Sequence, residues 1–366
     1  MRWSRGKIEI IKWYVYIGLL IVPYIFHPAF FSPSEVPKAI FVCLWLCGLI
    51  VIALLTKSEN VLAYDSPIGK ILWGIAGLAL VSSLSNGVLG NAWWGNPYRF
   101  DGLLLLFALT GFAYTLGRVW QREWNQQLFA LLFLNSVVVQ IVGIDLGNPV
   151  LLAGYLVVSL PLASSAWALT SNNWQRLTLG SLVVLQALKI WQTGSWGAIA
   201  GMGIILILWI GKRLPKTITY SLILAAILGG VYGYSVEMRS IEPGIIVAES
   251  RPRILMKALI AIKEKPLLGW GWAQFDRVFQ SIDYPTPYLT DAYVDRPHSA
   301  LLDFGVSMGI PGLVLYLLLT FFTLKKVSAI ALTMSLVYLW HSQTNVISVT
   351  EELYWWLLVG LALNES

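Results

Sequence analysis

What most constrains this chain is a succession of apolar stretches, roughly 15 to 22 residues each, the length a bilayer demands of a helix. They show no alternation of apolar and polar side chains, so they lack the mark of barrel strands. In hydrocarbon no water satisfies a backbone N–H or C=O, which leaves helices as the way to span it here. Composition agrees. Of 366 residues, 57% are hydrophobic and 12% charged, with a mean hydropathy of +0.70; a water-soluble chain carries about 25% charge.

Breaks at charges, Pro and Gly predict about twelve spans, near 11–31, 37–55, 68–85, 102–118, 127–143, 150–169, 177–192, 197–211, 217–234, 301–323, 328–346 and 352–364. The TGSWG stretch at 193–197 reads as either a kink or a turn. The expected architecture is an all-α integral membrane protein. A bundle of nine spans occupies 1–234, one long polar loop 235–298, and three spans 299–366. The first apolar segment is long, aromatic and without a small-residue cleavage site, so it is expected to stay as an anchor.

Short-loop charges predict sidedness. With the N-terminus in the cytoplasm, one side holds Arg2, Arg5, Lys7, Lys12, Lys57, Lys70, Arg118, Arg122, Arg176, Lys212, Arg213, Lys216, Lys325 and Lys326, and the other only Lys38, Arg99 and Lys189. Both termini are then cytoplasmic and the 235–298 loop external. Membrane topology thus explains the net charge of +6 better than nucleic-acid binding does. Cys43 and Cys47 read as packed thiols, with no His or carboxylate beside them to make a metal site.

Within the loop, SRPRILMKALIAIKEKPLLGWGWAQF predicts an amphipathic helix. Ile254, Leu255, Ala258, Leu259 and Ile262 share one face, and Arg253, Lys257 and Lys263 point elsewhere, as in a helix lying in the membrane interface. Pro266 ends it. Trp270 and Trp272, between glycines, suit either an interface anchor or a platform for a sugar ring. Arg296 and His298 stand where the chain returns to the membrane. His27 reads as a packed residue of the first span, while His341 is open to either a structural or a functional reading. His298 is the candidate proton acceptor, because polar sequence precedes it and basic residues surround it.

Several pieces resemble the superfamily of O-antigen ligases, O-antigen polymerases and bacterial O-oligosaccharyltransferases. Arg251 and Leu255 fit its loop pattern of Arg, three residues, Leu. KEKPLLGWGWAQF is similar to its PLLGxGxxxF segment. His298-Ser299 followed by Gly309 and Gly312 matches its His motif with spaced glycines. GNPVLLAGYLVVSLPL at 147–162 and GNPYRFDGLL at 95–104 resemble two further signatures. The chain departs at Ser195-Trp196-Gly197, where many members carry Ser-Arg-Gly, and at Val150, where Asn is usual.

The resemblance implies a GT-C-like glycosyltransferase of the cytoplasmic (inner) membrane, without metal or other cofactor. Its donor would be a glycan on a polyprenyl diphosphate such as undecaprenyl diphosphate, and its acceptor a lipid (as in lipopolysaccharide), a growing glycan or a protein. His298 is then the catalytic residue, as base or diphosphate contact. Arg251 and Arg253 are the first candidates for the diphosphate and Arg296 and Arg99 lesser ones, since guanidinium binds phosphate oxygens in pairs. Asp295 and Asp303 would orient His298. A transporter or flippase of an amphiphilic lipid-linked substrate is the alternative from another class; it needs polar residues along a midplane path, and the spans offer mainly His27, Gln140 and Gln186.

Overall fold

The computed structural model describes residues 5–55, 66–144, 146–211, 221, 246–247, 251–283, 289–290 and 293–364. The helices are α1 (Arg5–Ile21), α2 (Glu35–Leu55), α3 (Pro67–Ser85), α4 (Leu89–Trp94), α5 (Leu103–Val119), α6 (Trp124–Val142), α7 (Pro149–Ser159), α8 (Ala163–Ala168), α9 (Asn173–Gln192), α10 (Trp196–Gly211), α11 (Arg251–Glu264), α12 (Phe275–Ser281), α13 (Ala300–Lys326), α14 (Ala329–Thr344) and α15 (Val349–Asn364). Ile246–Val247 pairs in parallel with Leu289–Thr290. Side-chain caps fix several helix starts. Ser66 Oγ accepts from Gly69 N at 3.0 Å and Asn148 Oδ1 from Val150 N at 2.8 Å, each before a proline in the first turn.

Among the described residues, five helical stretches are long and apolar enough to cross a membrane: Glu35–Leu55, Pro67–Ser85, Trp124–Val142, Pro149–Ala168 and Ala300–Lys326. Their outer faces leave Leu44, Leu55 and Trp73 exposed, and Trp174, Trp191 and Trp209 are exposed on α9 and α10. So much outward apolar surface suits lipid, not water. The chain is a helical membrane protein. The sequence-predicted span at 217–234 lies outside the described residues. TGSWG is a turn, with Gly194 at φ 67°, separating α9 from α10.

The last helix, expected as a short span, is the centre of the bundle. Leu353 through Val359 of α15 are all buried, and α15 packs on α2, α3, α5, α7, α13 and α14. Glycines let α5 and α15 come close: a β-carbon at Gly117 would stand 2.6 Å from Leu363, and one at Gly360 3.0 Å from the Ala113 carbonyl oxygen. Gln186 Nε2 donates to Leu156 O at 2.8 Å and Gln140 Nε2 to Leu185 O at 2.9 Å. Both glutamines therefore tie helices together.

Four expectations are corrected. His27 lies beyond the end of α1 in an exposed turn, where its Nδ1 accepts from Ala29 N at 3.3 Å. Lys257 points inward: its Nζ donates to Phe279 O at 2.8 Å and stands 4.1 Å from that ring's centroid. Ile254, Ala258 and Ile262 are buried as expected, but against Phe275, Val278 and Phe279 of α12 and Val306 of α13. The apolar face of α11 is thus covered by protein, and Leu259 is exposed. Trp272 is buried, its Nε1 donating to Asp101 O at 2.9 Å, and Trp270 Nε1 donates to Ala261 O at 2.9 Å. Those indoles brace the fold.

The two glycine motifs meet physically. α13 is broken at Gly309 (φ 69°, ψ −164°), two residues before Pro311. The break frees carbonyls, and the 266–272 turn satisfies them: Trp270 N donates to Val306 O at 2.9 Å and Gly271 N to Ser307 O at 3.1 Å. In return Ile310 N donates to Pro266 O at 2.7 Å. Ser82 Oγ of α3 also bonds Ser307 O at 2.7 Å. A β-carbon at Gly269 would lie 2.5 Å from Val306 O, and one at Gly309 2.5 Å from Pro266 O. Backbone touches backbone here, so neither position has room for a side chain.

Candidate functional site

The site is assembled from segments far apart in sequence. The first is the 95–102 loop. Gly95 takes φ 78°, and a β-carbon there would meet Gly102 N at 2.3 Å, so the loop closes on itself. Asp101 Oδ1 accepts from Asn96 N at 3.0 Å, and Asn96 Oδ1 from Tyr98 N at 2.8 Å. This folded loop aims Arg99 at Asp295, with which it forms a hydrogen-bonded ion pair. Arg99 Nη1 also donates to Ile347 O at 3.2 Å.

The second segment carries His298. Its φ of 56° is left-handed, a conformation that costs a non-glycine residue about 1 kcal/mol or more. The neighbouring Ser299 Oγ caps α13 through Leu302 N at 3.3 Å and donates to Gln343 Oε1 at 2.7 Å. Burial pushes the His298 imidazole down to about 4; Asp295 opposes this, and the Arg251 and Arg99 cations add to it. The ring is therefore neutral at pH 7. Its buried Nδ1 finds no hydrogen-bond partner among the described residues. Burial alone would raise Asp295, but Arg99, Arg296 and His298 hold it below the ordinary carboxylate value.

Both segments face an open cavity of about 530 Å³ lined by Arg99, Arg251, Asp295, His298 and Asn345, with Phe31, Glu35, Tyr98 and Asn148 also on its wall. Helix N-terminal ends border it, at Glu35 of α2, Asn148–Val150 before and in α7, Arg251 of α11 and His298 before α13. Such ends carry partial positive charge and favour anions. Arg251 Nη2 donates to Asn345 Oδ1 at 2.9 Å. Among the described residues Arg251 has no carboxylate partner, in contrast to Arg99.

The loop between α14 and α15 organises these groups. Asn345 N donates to His341 O at 2.9 Å. Val349 N donates to Glu35 Oε2 at 2.9 Å, and Lys38 is 3.8 Å from Glu35. Behind the loop His341 Nδ1 lies 2.7 Å from Glu351 Oε1, both side chains fully buried. Gly154 leaves room for that pair: a β-carbon there would be 2.4 Å from Glu351 Oε2. Thus Gln343, Asn345 and the Ile347 carbonyl contact, respectively, Ser299, Arg251 and Arg99. Gly197 packs against Asn345, whereas Trp196, at the departure from the Ser-Arg-Gly pattern, is 78% exposed.

Of the residues singled out from sequence, Arg99, Arg251, Asp295 and His298 share the cavity wall. Arg253, Arg296 and Asp303 are not among its lining residues. Arg296 is surrounded by carboxylates: its Nε lies 2.8 Å from Asp101 and 3.9 Å from Asp303, and its Nη1 3.8 Å from Glu352. Asp303 therefore faces Arg296. Sequence reasoning missed Asn345, Gln343 and Glu35. The polar run Ser342–Gln343–Thr344–Asn345, closing an otherwise apolar helix, was the available signal.

A polytopic helical membrane protein with a cationic, histidine-bearing cavity at the ends of several helices is the class these features define. Residues 181–317 match a family model described as O-antigen ligase. A Rickettsia conorii protein provisionally named a polysaccharide ligase is 30% identical over 191 residues, covering 46% of this chain and 44% of that one. The segment that supplies Arg251, Asp295 and His298 lies within the residues that match the O-antigen ligase model. The chain spans less than half the length of the relative it matches.

Proposed function

We propose that this protein transfers a glycan from a polyprenyl diphosphate carrier, of the undecaprenyl diphosphate kind, to an acceptor hydroxyl at the outer face of the cytoplasmic membrane. The family match supports glycan transfer, and the short-loop charge asymmetry supports the sidedness. The observation that carries the reading is the pairing of Arg251, a cation held by the neutral Asn345, with a neutral His298 on one cavity wall.

The acceptor oxygen attacks the anomeric carbon from the face opposite the diphosphate. The carbon–oxygen bond to the diphosphate breaks as the new bond forms, and the leaving diphosphate keeps the electron pair. Arg251 and Arg99, with the helix N-terminal ends, meet the charge that builds there. The acceptor's hydroxyl proton passes to His298. An arriving diphosphate raises the basicity of that imidazole, because an anion nearby favours the protonated ring. The charge is met by protein groups, so the step needs no metal. Ligation to a lipid, polymerisation of repeat units and transfer to protein share this chemistry.

Reconstitution in proteoliposomes with an undecaprenyl-diphosphate-linked oligosaccharide and candidate acceptors tests the reading. Wild-type protein is expected to transfer glycan in the presence of EDTA, and Arg251→Ala and His298→Ala to lose transfer while staying monodisperse in detergent. Full transfer by either variant removes that residue from the mechanism. Labelling of Tyr284→Cys in intact cells by an impermeant thiol reagent tests sidedness; labelling only after the cytoplasm is opened overturns it.

A further inference from the structure

Beside the cation cavity stands a wall of aromatic rings that no step above employs. Phe31 and Tyr98 belong to the cavity lining. Their ring centroids are 5.7 Å apart, and Tyr98 is 5.3 Å from Tyr293. The rings are tilted 52° and 54° to one another, so the wall is curved. All are exposed: Phe31 78%, Tyr98 43% and Tyr293 40%. Asn96, itself buried, fixes two of the three. Its Oδ1 accepts from Tyr98 N at 2.8 Å and its Nδ2 donates to Tyr293 Oη at 2.6 Å. Asp276 Oδ2 lies 3.3 Å from the same Nδ2.

We propose that Phe31, Tyr98 and Tyr293 form a carbohydrate-binding wall on which the sugar rings of the substrate glycan stack while its diphosphate occupies the adjoining cavity. Aromatic faces bury apolar area at low entropic cost and leave the rest of a ring-shaped ligand free for polar contacts. A sugar has such a divided surface, with C–H bonds on its faces and hydroxyls around its rim. Acyl chains do not. The wall adjoins Asn96, Asp276, Asp295 and Arg99, and those groups suit hydroxyls and repel lipid tails. It is also continuous with the cavity that holds Arg99 and His298, so a glycan attached to a diphosphate there would extend along it. This inference rests on the diphosphate reading above for its direction, since that reading names what lies at the wall's inner end.

The test compares binding of two probes to full-length protein in nanodiscs: bare undecaprenyl diphosphate, and undecaprenyl-diphosphate-linked oligosaccharide extracted from cells that make this protein. The readout is the ratio of the two affinities. Wild-type protein is expected to prefer the glycosylated probe by at least tenfold. Tyr98→Ala and Tyr293→Ala are each expected to reduce that preference several-fold, and Tyr98→Phe to retain it. Should Tyr98→Ala fail to fold, Phe31→Ala, at the most exposed ring, carries the same expectation. A wild-type ratio of one, or a ratio unchanged in the alanine variants, overturns the wall. Loss of preference in Tyr98→Phe equal to that in Tyr98→Ala overturns stacking as its basis. Arg251→Ala separates the two readings. If it leaves the affinity for bare diphosphate untouched, the diphosphate reading falls, and the ratio still decides the wall.

Discussion

Arg251 and Asn345, 94 residues apart in sequence, are joined by one hydrogen bond of 2.9 Å from Nη2 to Oδ1. Among the described residues the partner of Arg251 is neutral, which positions the guanidinium without cancelling its charge and suits an anion site. Arg99, by contrast, is paired with Asp295 and Arg296 is ringed by Asp101, Asp303 and Glu352.

Substitution at Asn345 should therefore separate position from charge. A hydrogen bond to a charged group contributes about 1.5–3 kcal/mol, so Asn345→Ala is expected to reduce transfer about 10- to 100-fold. Asn345→Asp keeps an acceptor for Arg251 but neutralises it, and should weaken diphosphate binding. Steady-state transfer and equilibrium binding on the same preparations check both. Wild-type binding by Asn345→Asp would mean that the uncancelled charge is unimportant.

His298 supplies a prediction in pH. Its imidazole titrates near 4, below the ordinary 6.5, chiefly from burial. The unfolded chain then binds the extra proton between those two values, so this residue's contribution to stability is present above about 6.5 and lost as pH falls towards 4. Histidine-labelled NMR in detergent should show the low titration. Asp295→Asn should lower it further, because a neighbouring negative charge is removed. Added undecaprenyl diphosphate should raise it. The chain has only three histidines, so His27→Gln and His341→Gln assign the signal.

The interlocked glycines predict a structural defect. Gly269 and Gly309 both hold positive φ, and a β-carbon at either would stand 2.5 Å from a carbonyl oxygen. Gly269→Ala and Gly309→Ala should each cost more than about 2 kcal/mol, since strain and overlap act together. Thermal unfolding followed by fluorescence-detected gel filtration measures it. An unchanged melting temperature would contradict the backbone contact.

The buried His341–Glu351 pair should behave as a unit. Removing one member of a buried polar pair is expected to destabilise by about 3–5 kcal/mol, because the other is left in an apolar interior. Glu351→Ala and His341→Ala should lower the melting temperature, and the double variant should fall well short of the sum. Strict additivity would mean that the two side chains do not stabilise each other.

The helices were legible because hydrocarbon requires unbroken apolar length, and that requirement is written locally. Pro149, Ser66 and Pro67 mark their starts in the sequence itself. Arg251 and His298 were also legible, through motif and through polarity in an apolar chain. The convergence of Arg99 with Arg251 was not, since tertiary packing brings together residues 152 positions apart. Lys257 was misjudged because a helical wheel gives faces but not what covers them; the Phe279 ring and carbonyl cover that one. Asn345 escaped notice because a short polar run at the end of a helix looks like any helix-to-loop boundary. Its role is visible only once Arg251 lies beside it.

The break in α13 bears on how the molecule is made. Carbonyl groups left open in hydrocarbon cost several kcal/mol each, and those at Val306 and Ser307 are satisfied by Trp270, Gly271 and Ser82. All three partners precede the break in the chain, so synthesis from the N-terminus lays down the receptacle before the helix that needs it. The kinked helix can then settle in lipid as it emerges, provided the earlier turn has already folded back towards α3. Damage to that turn would thus surface during biogenesis, as a chain that is inserted but never assembled.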